Sequence, residues 1–174
     1  MAQFLFLSVE TDGVGPFFSQ TLVRVAMVLT DDTFQTLALE SFFVQGATQL
    51  KYNPNLYTLE QVNNGLKPED AAALVAGRLQ EADAVVAHNL DFVASVLMRL
   101  KTQPSISFEN KKLYCTMEET RDLCHLMPIV HGEYKYPKLE ELYKHLHPED
   151  SEVIGTKAEE KAWAIKQCFE KLNM

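Results

Sequence analysis

Phe4-Leu-Phe-Leu-Ser-Val9 limits what this chain can become more than any other segment. A strand made of these residues is apolar on both faces, so it belongs inside a sheet with packing on each side. Ala84-Val-Val-Ala87 makes the same demand. Asp12-Gly13 and Gly15-Pro16 end the first run. Val23 to Thr30 reads as the next strand, Asp31-Asp32 as its turn, and Thr36 to Val44 as the return. Residues 4 to 44 are therefore expected to form an antiparallel meander.

Residues 46–66 lack strong periodicity and contain Asn53-Pro54 and Asn63-Asn64-Gly65, which predicts a loop with a short helix near Leu59. Pro68-Glu69-Asp70 carries a proline and acids suited to a first helical turn, and the helix should run to about Glu81. Asn89 is expected to cap the helix bearing Phe92, Val93, Val96, Leu97 and Leu100. Leu113-Tyr-Cys115 reads as another short strand, and helices are expected at 117–126, 138–146 and 157–172. Three strands, helix, strand, helix, strand and then helices make an α/β chain: a mixed sheet with helices packed against it. No repeat, low-complexity tract or linker divides the 174 residues, which suit a single domain, 1–174.

No apolar run approaches the roughly 18 residues a membrane span needs, so no membrane association is expected. The opening Met-Ala-Gln-Phe-Leu-Phe-Leu lacks a basic segment and a small-residue cleavage site, which makes the cytoplasm the expected compartment. Net charge is −8, from 24 acidic against 16 basic side chains. That balance argues against avid, sequence-independent binding to long DNA, where phosphates must be neutralised by Lys and Arg. It leaves room for one strand end in a local groove. Cys115, Cys124 and Cys168 form no C-x-x-C pair and are expected to be buried thiols. Cys124-His125 and His131 fit no standard zinc spacing.

Three ordered segments carry a family resemblance. Phe6-Leu-Ser-Val-Glu-Thr-Asp-Gly13 is similar to hydrophobics followed by Asp-x-Glu-Thr-Thr-Gly. Val86-Ala-His-Asn-Leu-Asp-Phe-Val93 resembles Ala-His-Asn-x-x-Phe-Asp. Glu133-Tyr-Lys-Tyr-Pro-Lys-Leu-Glu-Glu-Leu-Tyr143 resembles the lead-in to a His-x-x-x-x-Asp helix. In this order they resemble the DEDD-type, DnaQ-like 3′→5′ exonucleases over nearly the whole chain. The resemblance implies a ribonuclease-H-like fold, a five-stranded mixed sheet with helices on both faces.

It also implies a site in which four carboxylates hold two Mg²⁺ or Mn²⁺ ions roughly 3.5–4 Å apart and a histidine activates water. The matching positions here have mostly changed. Ser8 stands at the first Asp, Glu10 keeps the second carboxylate, and Val93 stands at the third. Aligning Cys168-Phe169 with the family's closing Cys-Phe puts Thr156 at the histidine and Lys161 at the last Asp. On a helix, Ala158, Ala162, Ile165, Phe169 and Leu172 share a face, with Lys161 about 60° from its centre and Glu160 nearly opposite.

Glu10 is then a vestigial catalytic residue, and no metal cofactor is expected. The chain reads as a catalytically inactive exonuclease-like domain that binds a protein partner or a nucleic-acid 3′ end. Thr11, His88 and Asn89 are its candidate nucleic-acid contacts, although His88-Asn89 also suits a purely structural strand end. Lys161 either pairs with Glu10 in place of the metals or reaches solvent. Tyr134 and Tyr136, near Lys135 and Lys138, either stack bases or brace a loop. The alternative is an active exonuclease, needing Mg²⁺ or Mn²⁺, with ligands rearranged onto Asp12 or Asp91, or onto the literal His-x-x-x-x-Asp of His145 and Asp150.

Overall fold

The computed structural model describes residues 1–51, 56–100, 106–127, 132–150 and 154–172. Five strands form one sheet: β1 (Phe4–Thr11), β2 (Leu22–Thr30), β3 (Thr36–Phe43), β4 (Ala84–Ala87) and β5 (Lys112–Cys115). Their order across the sheet is β3-β2-β1-β4-β5. The first three strands are antiparallel neighbours, whereas β4 and β5 run parallel to β1. The meander and the mixed sheet thus form as their apolar patterns demand. β1 extends two residues past the expected end at Val9, because Glu10 and Thr11 continue the ladder opposite Arg24 and Leu22 across a register shift.

Seven α-helices lie among the described residues, α1 (Leu59–Asn63), α2 (Pro68–Glu81), α3 (Leu90–Met98), α4 (Thr116–Glu119), α5 (Arg121–Cys124), α6 (Leu139–Leu146) and α7 (Ala158–Leu172), with one 3-10 turn at Phe17–Ser19. Period-2 alternation divides the core between the two faces of the sheet. Leu5, Leu7, Val25, Met27, Val85 and Ala87 face α2 and α3. Phe6, Ala26, Val28 and Val86 face α6 and α7. On that second face Phe169 of α7 packs against Phe6, with ring centroids 5.7 Å apart, and against Tyr114 at 5.2 Å. This double cover explains why β1 and β4 are apolar on both sides. It also fixes α7 across the strand that carries Ser8 and Glu10.

Two local expectations are corrected. Residues 117–126 do not form one helix: Thr120 (φ −108, ψ 7) separates α4 from α5, and its hydroxyl donates back to the Thr116 carbonyl at 2.6 Å. A β-branched residue that satisfies the backbone through its own side chain competes with helix continuation. His125 (φ 48) then ends α5 in the left-handed region. Asn89 occupies the cap position of α3 but does not cap it with its side chain, because its backbone is left-handed (φ 65, ψ 62) rather than extended. The Leu90 N–H instead points to the Cys115 sulfur at 3.5 Å. His131 lies outside the described residues.

Candidate functional site

Unequal strand lengths open a cleft. β4 makes its last pairing at Ala87, opposite Leu7, while β1 runs on through Ser8, Val9, Glu10 and Thr11 beside β2 alone. After Ala87 the chain turns away through His88-Asn89 into α3. The gap is a cleft of about 370 Å³, with Ser8, His88, Asn89, Val93 and Lys161 in its lining. Phe92, Met117, Leu139 and Ile165 supply apolar wall, and Tyr136-Pro137-Lys138 forms one side. Such a position, outside the C-terminal ends of strands where connections diverge, is where open α/β sheets place ligands.

The β1 side carries an unusual charge pair. Glu10 is 6% exposed and faces α7. Its Oε2 accepts from the Tyr57 hydroxyl at 2.8 Å, and its Oε1 lies 3.7 Å from Lys161 Nζ. That second distance is an ion pair but too long for a hydrogen bond, and Oε1 has no hydrogen-bond partner among the described residues. Burial raises the Glu10 carboxyl above its ordinary value, opposed by the Tyr57 hydrogen bond and by Lys161. Burial, reinforced by Glu10, also pushes the Tyr57 phenol upward, so it stays a donor. Arg24, opposite Glu10 across the ladder, pairs with Glu159 at 2.8 Å and lies 4.6 Å over the Phe43 ring. The cluster therefore contains two cations and two carboxylates.

The β4 side is saturated with hydrogen bonds. His88 Nε2 meets the Pro137 carbonyl at 2.9 Å, and Nδ1 meets Thr116 Oγ1 at 3.0 Å. A carbonyl only accepts, so Nε2 carries the proton and Nδ1 accepts from the threonine. Burial lowers the His88 pKa from its ordinary 6.5, which favours this neutral tautomer. The imidazole ties β4 to the start of α4 and to the segment before α6. In this arrangement neither ring nitrogen is available to a ligand.

The remaining candidates fall elsewhere. Thr11 is buried and donates to Gln20 Oε1 at 2.6 Å. Asp12 is buried, and its Oδ1 accepts from the N–H groups of Val14 and Thr21, both at 3.0 Å, which commits it to a turn. Asp91 is exposed in the first turn of α3. His145 is exposed on α6, and Asp150, beyond that helix, accepts from Tyr143 at 3.0 Å. Thr156 is exposed just before α7 and is not among the cleft-lining residues. Tyr136 is half-exposed beside the cleft under Arg121, 5.2 Å from ring to guanidinium, whereas Tyr134 packs on His125. All three cysteines are buried free thiols. Among the described residues no group of three His, Cys, Asp or Glu side chains converges to hold a metal.

The cleft thus gathers Ser8, His88, Asn89, Val93 and Lys161, with Glu10 directly behind the lysine. Sequence reasoning missed Tyr57, Arg24 and Thr116. Alternation along β2 would have placed Arg24 on the α7 face with Ala26 and Val28. Tyr57 lies in an aperiodic segment and gave no such signal.

Solved structures share this architecture. Escherichia coli exonuclease I in complex with a dT13 oligonucleotide aligns with a TM-score of 0.73 at 14% identity, over 100% of this chain and 41% of that one. Its complex with a 5cy-dT13 oligonucleotide aligns at 0.75 and 16%, over 99% and 41%. The ExoI/SSB-Ct complex aligns at 0.72 and 13%, again over 99% and 41%. The chain has the exonuclease fold. That fold is ribonuclease-H-like: a mixed five-stranded sheet with helices on both faces. The chain spans about two-fifths of the length of these exonuclease I chains. The sequence itself matches no protein-family model and no curated protein. No helix among the described residues is long and apolar enough to cross a membrane.

Proposed function

We propose that this chain is a catalytically inactive exonuclease-fold domain that works by binding, with a protein as the favoured target. The observation that carries the reading is the Lys161 ammonium 3.7 Å from Glu10. Mg²⁺ and Mn²⁺ require several oxygen donors and net negative charge at close, fixed distances. The positions that match the family's ligands offer one carboxylate, a hydroxyl, an isopropyl group and an ammonium, a donor set that does not fit two divalent cations. Lys161 instead supplies the positive charge that a buried carboxylate needs. Asp12 is unsuited as a substitute because its Oδ1 already serves two backbone N–H groups.

The net charge of −8 favours a protein over a polynucleotide. Oligonucleotides in the exonuclease I complexes make a strand end the second target to test. Incubating the protein with a 3′-labelled single strand and Mg²⁺ or Mn²⁺ should give no shortening, and a low-salt gel shift should show no complex. Metal-dependent shortening abolished by Glu10→Gln would overturn the reading.

A further inference from the structure

We propose that β3 is a docking edge for a second copy of this chain. Two β3 strands pair antiparallel about a two-fold axis at Leu39, which joins two five-stranded sheets into one. The support begins with backbone groups that lack partners. β3 is an outermost strand, and where its ladder with β2 begins the Val44 N–H donates to the Val23 carbonyl at 2.9 Å. In an antiparallel ladder, residues bonded to the neighbour alternate with residues whose N–H and C=O point away from it. The register sets Phe42, Glu40 and Ala38 opposite Val25, Met27 and Leu29, so these three bond to β2. Leu37, Leu39 and Ser41 then turn their backbone groups outward, where no described residue meets them. The open row ends at Phe43, whose carbonyl accepts from the Leu66 N–H at 2.8 Å, and at Gln35, which is held in the Asp31 turn.

Edge strands are commonly guarded by shortness, by lysine or proline, or by an irregularity that breaks the row. β5, the opposite edge, has four residues and opens on the exposed Lys112. β3 has eight residues and no Lys, Arg or Pro, and its one register shift against β2 falls at its first end, beside Thr36. It also presents apolar side chains to solvent: Leu37 is 51% and Leu39 59% exposed. A two-fold interface must be complementary to itself, and three observations make β3 so. Its only charge, Glu40, is already held by Arg78 at 2.8 and 2.9 Å, and in this register it faces the partner subunit's Ala38. Leu39 meets its own copy, and Leu37 exchanges backbone bonds with the partner subunit's Ser41. The open row is short and bounded at both ends, and a second β3 has the same length and the same bounds. The neutral strand thus offers a chain of net charge −8 a place to meet its copy without adding like charges. β2 separates β3 from β1, so the pairing is independent of what the cleft holds.

The test is sedimentation equilibrium of the full chain over a range from about 1 to about 500 µM, since an interface this small gives a dimer of micromolar affinity. The average mass should rise with concentration from 19.7 kDa towards twice that value. Leu39→Lys and Leu39→Glu each place like charges on the axis, so each variant alone should stay monomeric, with its melting temperature showing that the fold is intact. An equimolar mixture of the two should associate, because an ammonium then faces a carboxylate. Leu39→Cys should oxidise to a cross-linked dimer, since the Cα spacing of about 5.5 Å in a bonded antiparallel pair suits a disulfide. Leu37→Cys should not, because its copy lies four positions away along the strand, roughly 13 Å. A chain that stays monomeric at about 500 µM would overturn the proposal. So would a dimer untouched by either charge at position 39, a mixture of the two charged variants that does not associate, or cross-linking of Leu37→Cys as rapid as that of Leu39→Cys.

Discussion

The ends of β1 and β4 lie side by side at one cleft, yet they are built on opposite principles. At the β4 end His88 has both ring nitrogens occupied, by Pro137 and Thr116, and it binds three segments together. At the β1 end, among the described residues, neither the Ser8 hydroxyl nor Glu10 Oε1 has a hydrogen-bond partner, and Lys161 reaches that carboxylate only at 3.7 Å. The contrast separates two roles that one motif combines. A residue whose hydrogen bonds hold the scaffold is costly to change. A residue that faces the cleft without internal partners can be exchanged with little effect on the fold. His88 serves here as architecture, while Ser8 and Lys161 line the cleft beside it.

His88→Ala should give the largest effect, because it takes the His88 donor from the Pro137 carbonyl, leaves the Thr116 hydroxyl only its 3.4 Å contact with the Ala87 carbonyl, and opens a void. A loss of about 2–4 kcal/mol in denaturant unfolding is expected. The native protein should also respond to pH. Because burial holds the folded-state His88 pKa below 6.5, its contribution is fully present above 6.5 and is lost as pH falls through the folded value. Unchanged stability in the alanine variant would erase the proposed contrast between the two strand ends.

The Glu10–Lys161 pair should come next. Lys161→Met is expected to cost about 1–3 kcal/mol, less than the roughly 3–5 kcal/mol of a fully buried pair, because the lysine side chain keeps 27% exposure. Adding Glu10→Gln should recover part of that loss. The sign with pH follows from the raised Glu10 pKa: its contribution is present below 4.5 and is lost as pH rises through the folded value. Removing Lys161 raises that folded value further, so the deficit of Lys161→Met should widen as pH climbs from 4.5. Additive losses in the double-mutant cycle would mean that the two side chains do not interact.

These contrasts show which parts of the molecule were legible in the sequence. The strands could be read because double-sided burial leaves a plain mark in Phe4–Val9 and Ala84–Ala87. Lys161 could be placed near Glu10 because the family resemblance aligned both with one site, and helical periodicity put it beside the face of Ala158, Ile165 and Phe169. Asn89 could not be read, since its identity suits an ordinary cap and only its left-handed backbone removes that role. Tyr57 was hidden for a different reason. Its partner Glu10 is 47 positions away, and a hydrogen bond between an aperiodic loop and a strand has no local pattern.

Ser8→Ala should give the smallest effect on folding, within about 0.5 kcal/mol either way, because the hydroxyl has no hydrogen-bond partner among the described residues. A destabilisation near that of His88→Ala would show that the β1 end is as structurally committed as the β4 end.

We propose that Lys161 takes the place of metal ions beside Glu10. Mn²⁺ titration of the native chain at millimolar concentration, read by electron paramagnetic resonance and by anomalous scattering from soaked crystals, tests it most directly. No ion should bind at Glu10. Two ions bound there, with Lys161 displaced from the carboxylate, would contradict it.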